Sequence, residues 1–160
     1  MTVRPYQSSD IPSMKDIWNE IVRAGNAFPQ EDELSTDEAV SFFASQSRCG
    51  VAEDENGRIL GLYILHPNNV GRCGHIFNAS YAVSSAARGR HIGEMLVKDS
   101  MRAGRELGFS ILQFNAVVET NTRARRLYEK LGFHQLGVIP KGFRMKDGRF
   151  ENICPYYIEL

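Results

Sequence analysis

The 160-residue sequence predicts an α/β (α+β) fold, in which a mixed central sheet of about six to seven strands is flanked by about four helices. Apolar residues at three- and four-residue steps predict helices that each pack one face on a sheet. Short apolar runs bounded by glycine, proline or asparagine predict the strands. The segment 74–118 has the pattern strand, helix, strand, which is typical of a parallel crossover and places two parallel strands inside the sheet.

The length predicts one domain, 1–160, long enough to bury a core without metal or disulfide support. Nineteen basic and nineteen acidic residues balance, which argues against a nucleic-acid or anionic-membrane partner drawn by bulk charge. Three widely spaced cysteines and four histidines without metal-ligand spacing predict neither a disulfide framework nor a metal site. No signal peptide or membrane span is expected, and a reducing cytoplasm is the expected location.

The first half of the chain is expected to form three strands, two helices and then a long strand. Helix ends are predicted from caps and glycines, and Asn-Gly between two apolar runs predicts a hairpin. The expected elements are an edge strand at Val3–Tyr6, a helix capped by Asp10 and ending near Gly25, a helix from the capping box Ser35–Glu38 through Phe43, strands at Cys49–Glu53 and Ile59–Leu65, and a strand from about Gly74 to Val83.

The second half is expected to alternate helices and strands and to end in a hairpin. Glycine after an amphipathic stripe predicts each helix end, and Asp-Gly predicts the last turn. The expected elements are a helix from Gly93 to Gly108, a strand at Ser110–Val118, a helix capped by Thr120–Thr122 and running through Leu131, a strand at Phe133–Ile139, a hairpin from Arg144 to Ile153 turning at Asp147-Gly148, and a strand at Cys154–Leu160.

A basic, glycine-containing turn, Arg88–Gly93, connects the long strand to the next helix. Such a turn leaves the first N–H groups of the helix unpaired at the positive end of its dipole, where an anion is stabilised. Arg88 and Arg90 add charge, and the glycines allow close approach, so phosphate is the favoured ligand; an ordinary basic turn is the alternative. The turn lacks the Gly-Lys-Ser/Thr ending of a P-loop and the three glycines of a dinucleotide fingerprint.

A second motif, Asn121–Phe133, follows on the helix after the next strand. Its pattern, Asn-x-x-Ala-x-x-Leu-Tyr-x-x-x-Gly-Phe, and that of the turn, Arg/Gln-x-x-Gly-x-Gly/Ala, resemble in the same order the two signatures of the GCN5-related N-acetyltransferases (GNAT). The resemblance covers nearly the whole chain, including the opening Val3–Asp10. It implies the GNAT fold, with the strands ending at Val83 and starting at Ser110 splayed apart, and acetyl-CoA as co-substrate.

One position departs from the family turn, because His91 stands where the middle glycine usually is. A side chain favours negative φ, so we expect a negative φ at this position.

The resemblance implies roles along both motifs. Tyr128 matches the acid that protonates the departing CoA thiolate, and a phenol of pKa about 10 suits that task because it is not ionised at neutral pH; a packed aromatic is the alternative. A backbone N–H near Tyr81–Val83 would polarise the thioester carbonyl. The cluster Arg123, Arg125 and Arg126 is expected to be a solvated helix face; contact with the 3′-phosphate of the cofactor and a nucleic-acid site are the alternatives. The residues expected to bind acetyl-CoA are Tyr81, Ala82, Val83, Arg88, Gly89, Arg90, His91, Ile92, Gly93, Asn121 and Arg123.

The acceptor implied by the resemblance is a small-molecule amine. Pro140–Arg144 and Asp147–Arg149 resemble the phosphinothricin-type branch, but Asn78 stands where that branch often has a glutamate, and an asparagine cannot act as a base. The chain more closely resembles the fungal N-acetyltransferases of azetidine-2-carboxylate and related proline analogues, which implies that Asn78 and Asn115 bind an amino-acid-like acceptor; a structural asparagine is the alternative. The segments that carry this resemblance are His75–Ala79, Phe114–Asn115 and Glu119–Asn121.

The proton acceptor is expected among Glu31, Glu33, His75 and water. The loop Phe28–Leu34 is expected to overhang the substrate. Two other functions stay open: protein N-terminal acetylation, which needs an open groove, and a non-catalytic acyl-CoA sensor, which does not need Tyr128. A homodimer through the C-terminal strands, common in the family, is also expected.

Overall fold

The computed structural model of residues 1–160 has one mixed sheet of eight strands with four helices on its two faces. The strands are β1 (Thr2–Pro5), β2 (Arg48–Glu53), β3 (Ile59–Pro67), β4 (Ile76–Val83), β5 (Ile111–Val118), β6 (His134–Gln135), β7 (Ile139–Arg144) and β8 (Phe150–Glu159). The helices are α1 (Ile11–Ala24), α2 (Thr36–Ala44), α3 (Ile92–Glu106) and α4 (Thr122–Lys130). The predicted fold class is confirmed, with one strand more than expected.

The sheet order is β1-β2-β3-β4-β5-β8-β6, and β7 also pairs with β8. Every pair is antiparallel except β4 and β5, which the crossover helix α3 joins in parallel. The parallel pairing covers only Ile76 with Ile111 and Phe77 with Leu112. Beyond these residues the two strands diverge, so the expected splay is confirmed and a gap opens toward the carboxyl ends of β4 and β5.

Two apolar clusters lie on opposite faces of the sheet. Helices α1 and α2 bury Trp18 and Phe43 against alternate residues of the strands, such as Leu62 and Ile64 of β3. The intervening residues of β3, such as Leu65, face the other cluster with α3. Because side chains alternate along a strand, this division fixes the face on which every residue of β3, β4 and β5 lies.

Asp10 precedes α1 as expected, but the prediction that its side chain caps the helix is wrong. The Asp10 carboxylate accepts a hydrogen bond from the backbone N–H of Gln7, at 2.8 Å, and two from the guanidinium of Arg4, at 2.7 and 3.1 Å. The carboxylate makes no bond to the first turn of α1. The Arg4 hydrogen bonds lower the pKa of Asp10 and join β1 to the start of α1.

The chain after Phe133 also departs from prediction, because both of its prolines lie inside strands. The strand expected over Phe133–Ile139 is reduced to β6, and β7 instead runs through Pro140. Strand β7 pairs with β8 at Ile139 and again only from Phe143, so Pro140 is not needed as a ladder donor. Two separate strands were expected, one in the hairpin ending at Ile153 and one starting at Cys154. They form one continuous strand, β8, because a bulge in β5 lies opposite Pro155.

No helix is long and apolar enough to cross a membrane. No three His, Cys, Asp or Glu side chains are grouped so that they could hold a metal ion.

Candidate active site

The gap between β4 and β5 is lined by unpaired backbone N–H groups. At one end of the β3–β4 ladder the N–H of Asn68 donates to the carbonyl of Ile76, and at the other the N–H of Ser84 donates to the carbonyl of Leu60, both at 2.9 Å. Even-numbered residues of β4 therefore bond to β3, and odd-numbered residues point toward β5. The amides that face the gap are those of Ala79, Tyr81 and Val83. Of the three backbone positions expected from the sequence, Ala82 is turned away.

Tyr128 of α4 lies beside this gap and packs against aromatic side chains. Its ring centroid is 4.4 Å from that of Phe114 on β5, 5.5 Å from Phe133 and 6.0 Å from Tyr156. Its hydroxyl makes no hydrogen bond within the chain, whereas the hydroxyl of Tyr156 donates to Glu129 at 3.0 Å. Burial raises the pKa of Tyr128, so the phenol is protonated at neutral pH and its proton is available to a ligand.

The basic turn meets α3 one residue earlier than expected, because the helix begins at Ile92. Arg88 and Arg90 are exposed, and the first turn of α3 is open to an anion. The expectation of a negative φ at His91 is wrong: φ is +59°, and Gly89 is also left-handed at +82°. Two left-handed residues turn the chain from β4 into α3, so His91 keeps the backbone conformation of the glycine that it replaces.

Replacing His91 by glycine should stabilise the protein. A left-handed residue with a side chain costs about 1–2 kcal/mol, partly offset by the entropy that a glycine loses on folding, so we expect a gain of roughly 0.5 kcal/mol. The His91 side chain is 82% exposed and loses no packing when it is removed. Denaturant unfolding measures the change. Arg90→Gly is the matched control, since Arg90 does not have a positive φ, and it should destabilise the protein. A His91→Gly variant that is less stable than wild type contradicts the strain argument.

The start of α4 holds two residues expected at the cofactor. Asn121 caps the helix, because its Oδ1 accepts the N–H of Ala124 at 3.3 Å, and this leaves its amide N–H groups and the second lone pair of Oδ1 for a ligand. Arg123 is exposed.

The expectation that Arg125 belongs to a solvated helix face is wrong. Its guanidinium donates to the hydroxyl of Tyr156 and the carbonyl of Glu119, each at 3.1 Å, and to Gln135 at 3.3 Å. Arg125 therefore fixes α4, and with it Tyr128, against β5 and β8.

A row of polar side chains crosses β3, β4 and β5 on the face opposite α3. Asn115 donates to Oδ1 of Asn68 at 2.6 Å and accepts from Nε2 of Gln113 at 3.0 Å. Asn78 is half-buried and makes no side-chain hydrogen bond within the chain. Asn68 was missed in the sequence, where Pro67-Asn68-Asn69 reads only as a turn. Its contact with Asn115 spans 47 residues, so no local pattern could have shown it.

A cleft of about 780 Å³ lies between the loop after α1 and the β7–β8 hairpin. Glu31 forms an ion pair with Arg144, and Glu33 forms one with Arg23 at 2.7 Å. The hydrogen bond from Arg23 lowers the pKa of Glu33, so this carboxylate is a weak base. Residues 28–33 of the loop line this cleft, but the lining does not include Asn78, Tyr128 or His75, so the overhang of the substrate stays a prediction.

Comparison with known proteins shows the family. Residues 11–133 match the model of the acetyltransferase (GNAT) family. The chain is similar to the N-acetyltransferase aca1 of Schizosaccharomyces pombe, with 29% identity over 78% of this chain and 68% of that protein.

Solved structures with the same architecture include a GCN5-related N-acetyltransferase from Kribbella flavida, at 35% identity and a TM-score of 0.92, over 99% of this chain and 97% of that one. They also include a GNAT superfamily phosphinothricin acetyltransferase from Sinorhizobium meliloti in complex with AcCoA. That chain is 24% identical, with a TM-score of 0.91 over 99% of this chain and 88% of its own, a likeness that concerns the fold.

Proposed function

Since the chain belongs to the acetyltransferase (GNAT) family and is an N-acetyltransferase, we propose that it transfers the acetyl group of acetyl-CoA to a primary or secondary amine of a small molecule, an amino acid or an analogue. The observation that carries the proposal is the Tyr128 phenol, protonated and without a partner in the chain, beside a gap lined by free amides. A non-catalytic acyl-CoA sensor needs the gap but has no use for such a proton donor.

The turn and the gap are suited to opposite ends of acetyl-CoA. The N–H groups at the start of α3, with Arg88 and Arg90, would bind the diphosphate. The unpaired amides of β4 would pair with the pantetheine arm as an added strand does. The N–H of Tyr81 or Val83 would then bind the thioester oxygen, and one such donor contributes about 2.7–4 kcal/mol to stabilising the negative charge on it.

The polar groups on either side of the gap divide the reaction between them. Asn78 and Asn115 would hold the acceptor while its neutral amine attacks the thioester carbon. The new N–C bond forms as the C–S bond breaks, and Tyr128 donates its proton to the departing thiolate. No metal ligand is needed for these steps, because amide and phenol donors supply the stabilisation.

A small acceptor is favoured over a protein N-terminus by the overhanging loop. Glu31 on this loop reaches Arg144 on the β7–β8 hairpin, and Lys146 of the hairpin donates its backbone N–H to the carbonyl of Gly25 at 3.0 Å. These contacts tie the loop to the hairpin across the cleft, whereas a protein N-terminus needs an open groove.

The proposal is tested by following thiol release from acetyl-CoA with amino acids, proline analogues, phosphinothricin, polyamines and peptides. We expect release that depends on a small amino-acid-like acceptor, with the acetylated product identified by mass. Release with peptides alone would favour protein acetylation. CoA binding in calorimetry without amine-dependent release for any acceptor would favour the sensor and contradict the proposal.

We also propose a homodimer formed through the edge at 134–142. Every residue of this segment is exposed, and the large apolar ones are 57% exposed at Leu136, 45% at Val138 and 49% at Ile139. Exposed apolar residues on an edge strand favour pairing with another strand. Light scattering should give twice the chain mass, and Val138→Glu should give the monomer mass. Val70→Glu is the control, because Val70 is 82% exposed but lies outside this edge. A wild-type monomer contradicts the dimer.

A reducing, cytoplasmic location is the last part of the proposal. Cys49, Cys73 and Cys154 are all free thiols, which suits a compartment where thiols stay reduced.

A further inference from the structure

We propose that His66 of β3 is the general base that takes the proton released by the acceptor amine, an inference that depends on the proposed acetyl transfer. An amine is mostly protonated at neutral pH and loses its ammonium proton to solvent before attack; a second proton must then leave the nitrogen as the N–C bond forms, and this is the proton that needs a base. The carboxylates expected in this role, Glu31 and Glu33, are exposed and held in ion pairs by arginines. Asn78, next to the gap, has no lone pair that can take a proton.

His66 lies directly beside Asn78 on the acceptor face. The two residues are partners in the antiparallel β3–β4 register. Ile64 packs with α1 and α2, so His66, two residues further along a regular strand, lies on the same face. Side chains of opposed residues have Cβ atoms about 4.5–5.5 Å apart, so the imidazole and the Asn78 amide are neighbours.

The tautomer of His66 is set by its own strand. The ring Nδ1 is 3.0 Å from the carbonyl oxygen of Pro67. A carbonyl can only accept, so Nδ1 must carry the hydrogen of this bond and act as its donor. In the neutral ring the lone pair is then on Nε2, the atom at the far end of the side chain. The half-buried ring is therefore oriented as a base, with its accepting nitrogen directed away from the backbone.

The residues next to His66 across and along the sheet are uncharged. They are Asn78 of β4, Ser47 just before β2 and Asn68 just after β3. The Gln113–Asn115 pair of β5 lies beyond them. The charge closest along β2, Arg48, pairs with Glu106 of α3 on the opposite face. His66 is thus the one side chain of this polar row with a basic ring nitrogen. A carboxylate in this row would stabilise the ammonium form of the acceptor, and the amide side chains do not have this effect.

The proton balance is complete with these residues. As the N–C bond forms, Nε2 of His66 accepts the amine proton directly or through one water, and Tyr128 gives its proton to the thiolate as the C–S bond breaks. The imidazolium then returns its proton through solvent while the phenolate of Tyr128 regains one. The products are the acetylated amine and CoA thiol, and the chain ends in its starting protonation state.

The test is the pH dependence of kcat/KM for His66→Asn and His66→Gln beside wild type, with one acceptor found in the thiol-release panel. The titration of the amine is common to all three proteins, so only the enzyme's own base can separate their profiles. We expect both variants to lose on the order of tenfold to 100-fold at neutral pH. They should keep only the acid limb set by the amine and lose the additional fall in rate that wild type shows, since a protonated base cannot act. His66→Ala should regain rate when imidazole is added.

Calorimetry with CoA shows that each variant is folded, and its affinity should match wild type. His134→Asn is the matched control, because His134 is exposed on β6, away from β3 and β4, and its loss should leave the rate unchanged. Wild type that acetylates no acceptor contradicts the proposed function and this inference with it. Active wild type with His66 variants that keep their rate contradicts only the role of His66. So do variants that lose rate but keep the wild-type fall in rate beyond the amine's own acid limb and gain nothing from imidazole.

Discussion

Tyr128→Phe is expected to lower kcat about 1,000-fold while CoA affinity stays within threefold of wild type, since a positioned general acid contributes about 10²–10⁴ in rate. The substitution removes one oxygen that makes no hydrogen bond in the chain and keeps the ring on Phe114. Without the phenol proton, CoA must leave as a thiolate. Stopped-flow thiol detection gives kcat, and calorimetry with CoA gives the affinity.

Tyr157→Phe is the control for Tyr128. It removes the same oxygen from a half-buried tyrosine of β8, and its rate should equal that of wild type. The pH dependence has a definite sign as well: burial raises the pKa of Tyr128, so its acid form persists through the alkaline range where an ordinary tyrosine ionises. If kcat of the Tyr128→Phe enzyme stays within threefold of the wild-type kcat, the assignment of Tyr128 as the acid is contradicted.

Asn78→Ala is expected to reduce kcat/KM for the acceptor about 100-fold, the effect of losing hydrogen bonds worth about 1–3 kcal/mol to the bound amine. The KM for acetyl-CoA should not change, because the Asn78 side chain points to the face opposite α3. Stability should change by less than about 1 kcal/mol, because the amide makes no hydrogen bond in the chain and no buried partner is left unpaired. Steady-state kinetics and urea unfolding measure the two quantities.

Ser80→Ala provides the comparison for Asn78. Ser80 is the next half-buried residue on the same face of β4, and its loss should cost little activity. An Asn78→Ala enzyme with full activity contradicts its role at the acceptor. A variant that unfolds at a much lower urea concentration would instead mark Asn78 as a structural asparagine.

Local patterns were enough to predict most of the fold. The stripe on α1 and the capping box of α2 place both helices, because their signals depend on neighbouring residues. The strands at the end of the chain were harder to predict. Prolines usually end strands, but Pro140 and Pro155 are tolerated where β7 lacks a ladder bond and where β5 has a bulge. Both conditions depend on how the partner strand pairs, so the residues next to each proline do not reveal them.

The candidate site divides in the same way. Tyr128 and the basic turn lie in continuous motifs, and the sequence located both. His91 shows the limit, since its left-handed φ follows from the path between β4 and α3 and opposes the preference of the residue itself. Arg125 and Asn68 were misjudged or missed, because their partners, Tyr156 and Asn115, are 31 and 47 residues away.

The contact at Gly25 has a consequence for how this enzyme can change. A Cβ at Gly25 would collide with Cβ of Lys146, while the backbone and Nζ of Lys146 hold the carbonyls of Gly25 and Arg23. These bonds clamp the loop at its base, and the solvent-facing residues between Pro29 and Glu33 are left with no part in the core. Substitutions at these few positions can therefore reshape the cleft beneath the loop without endangering the folded scaffold.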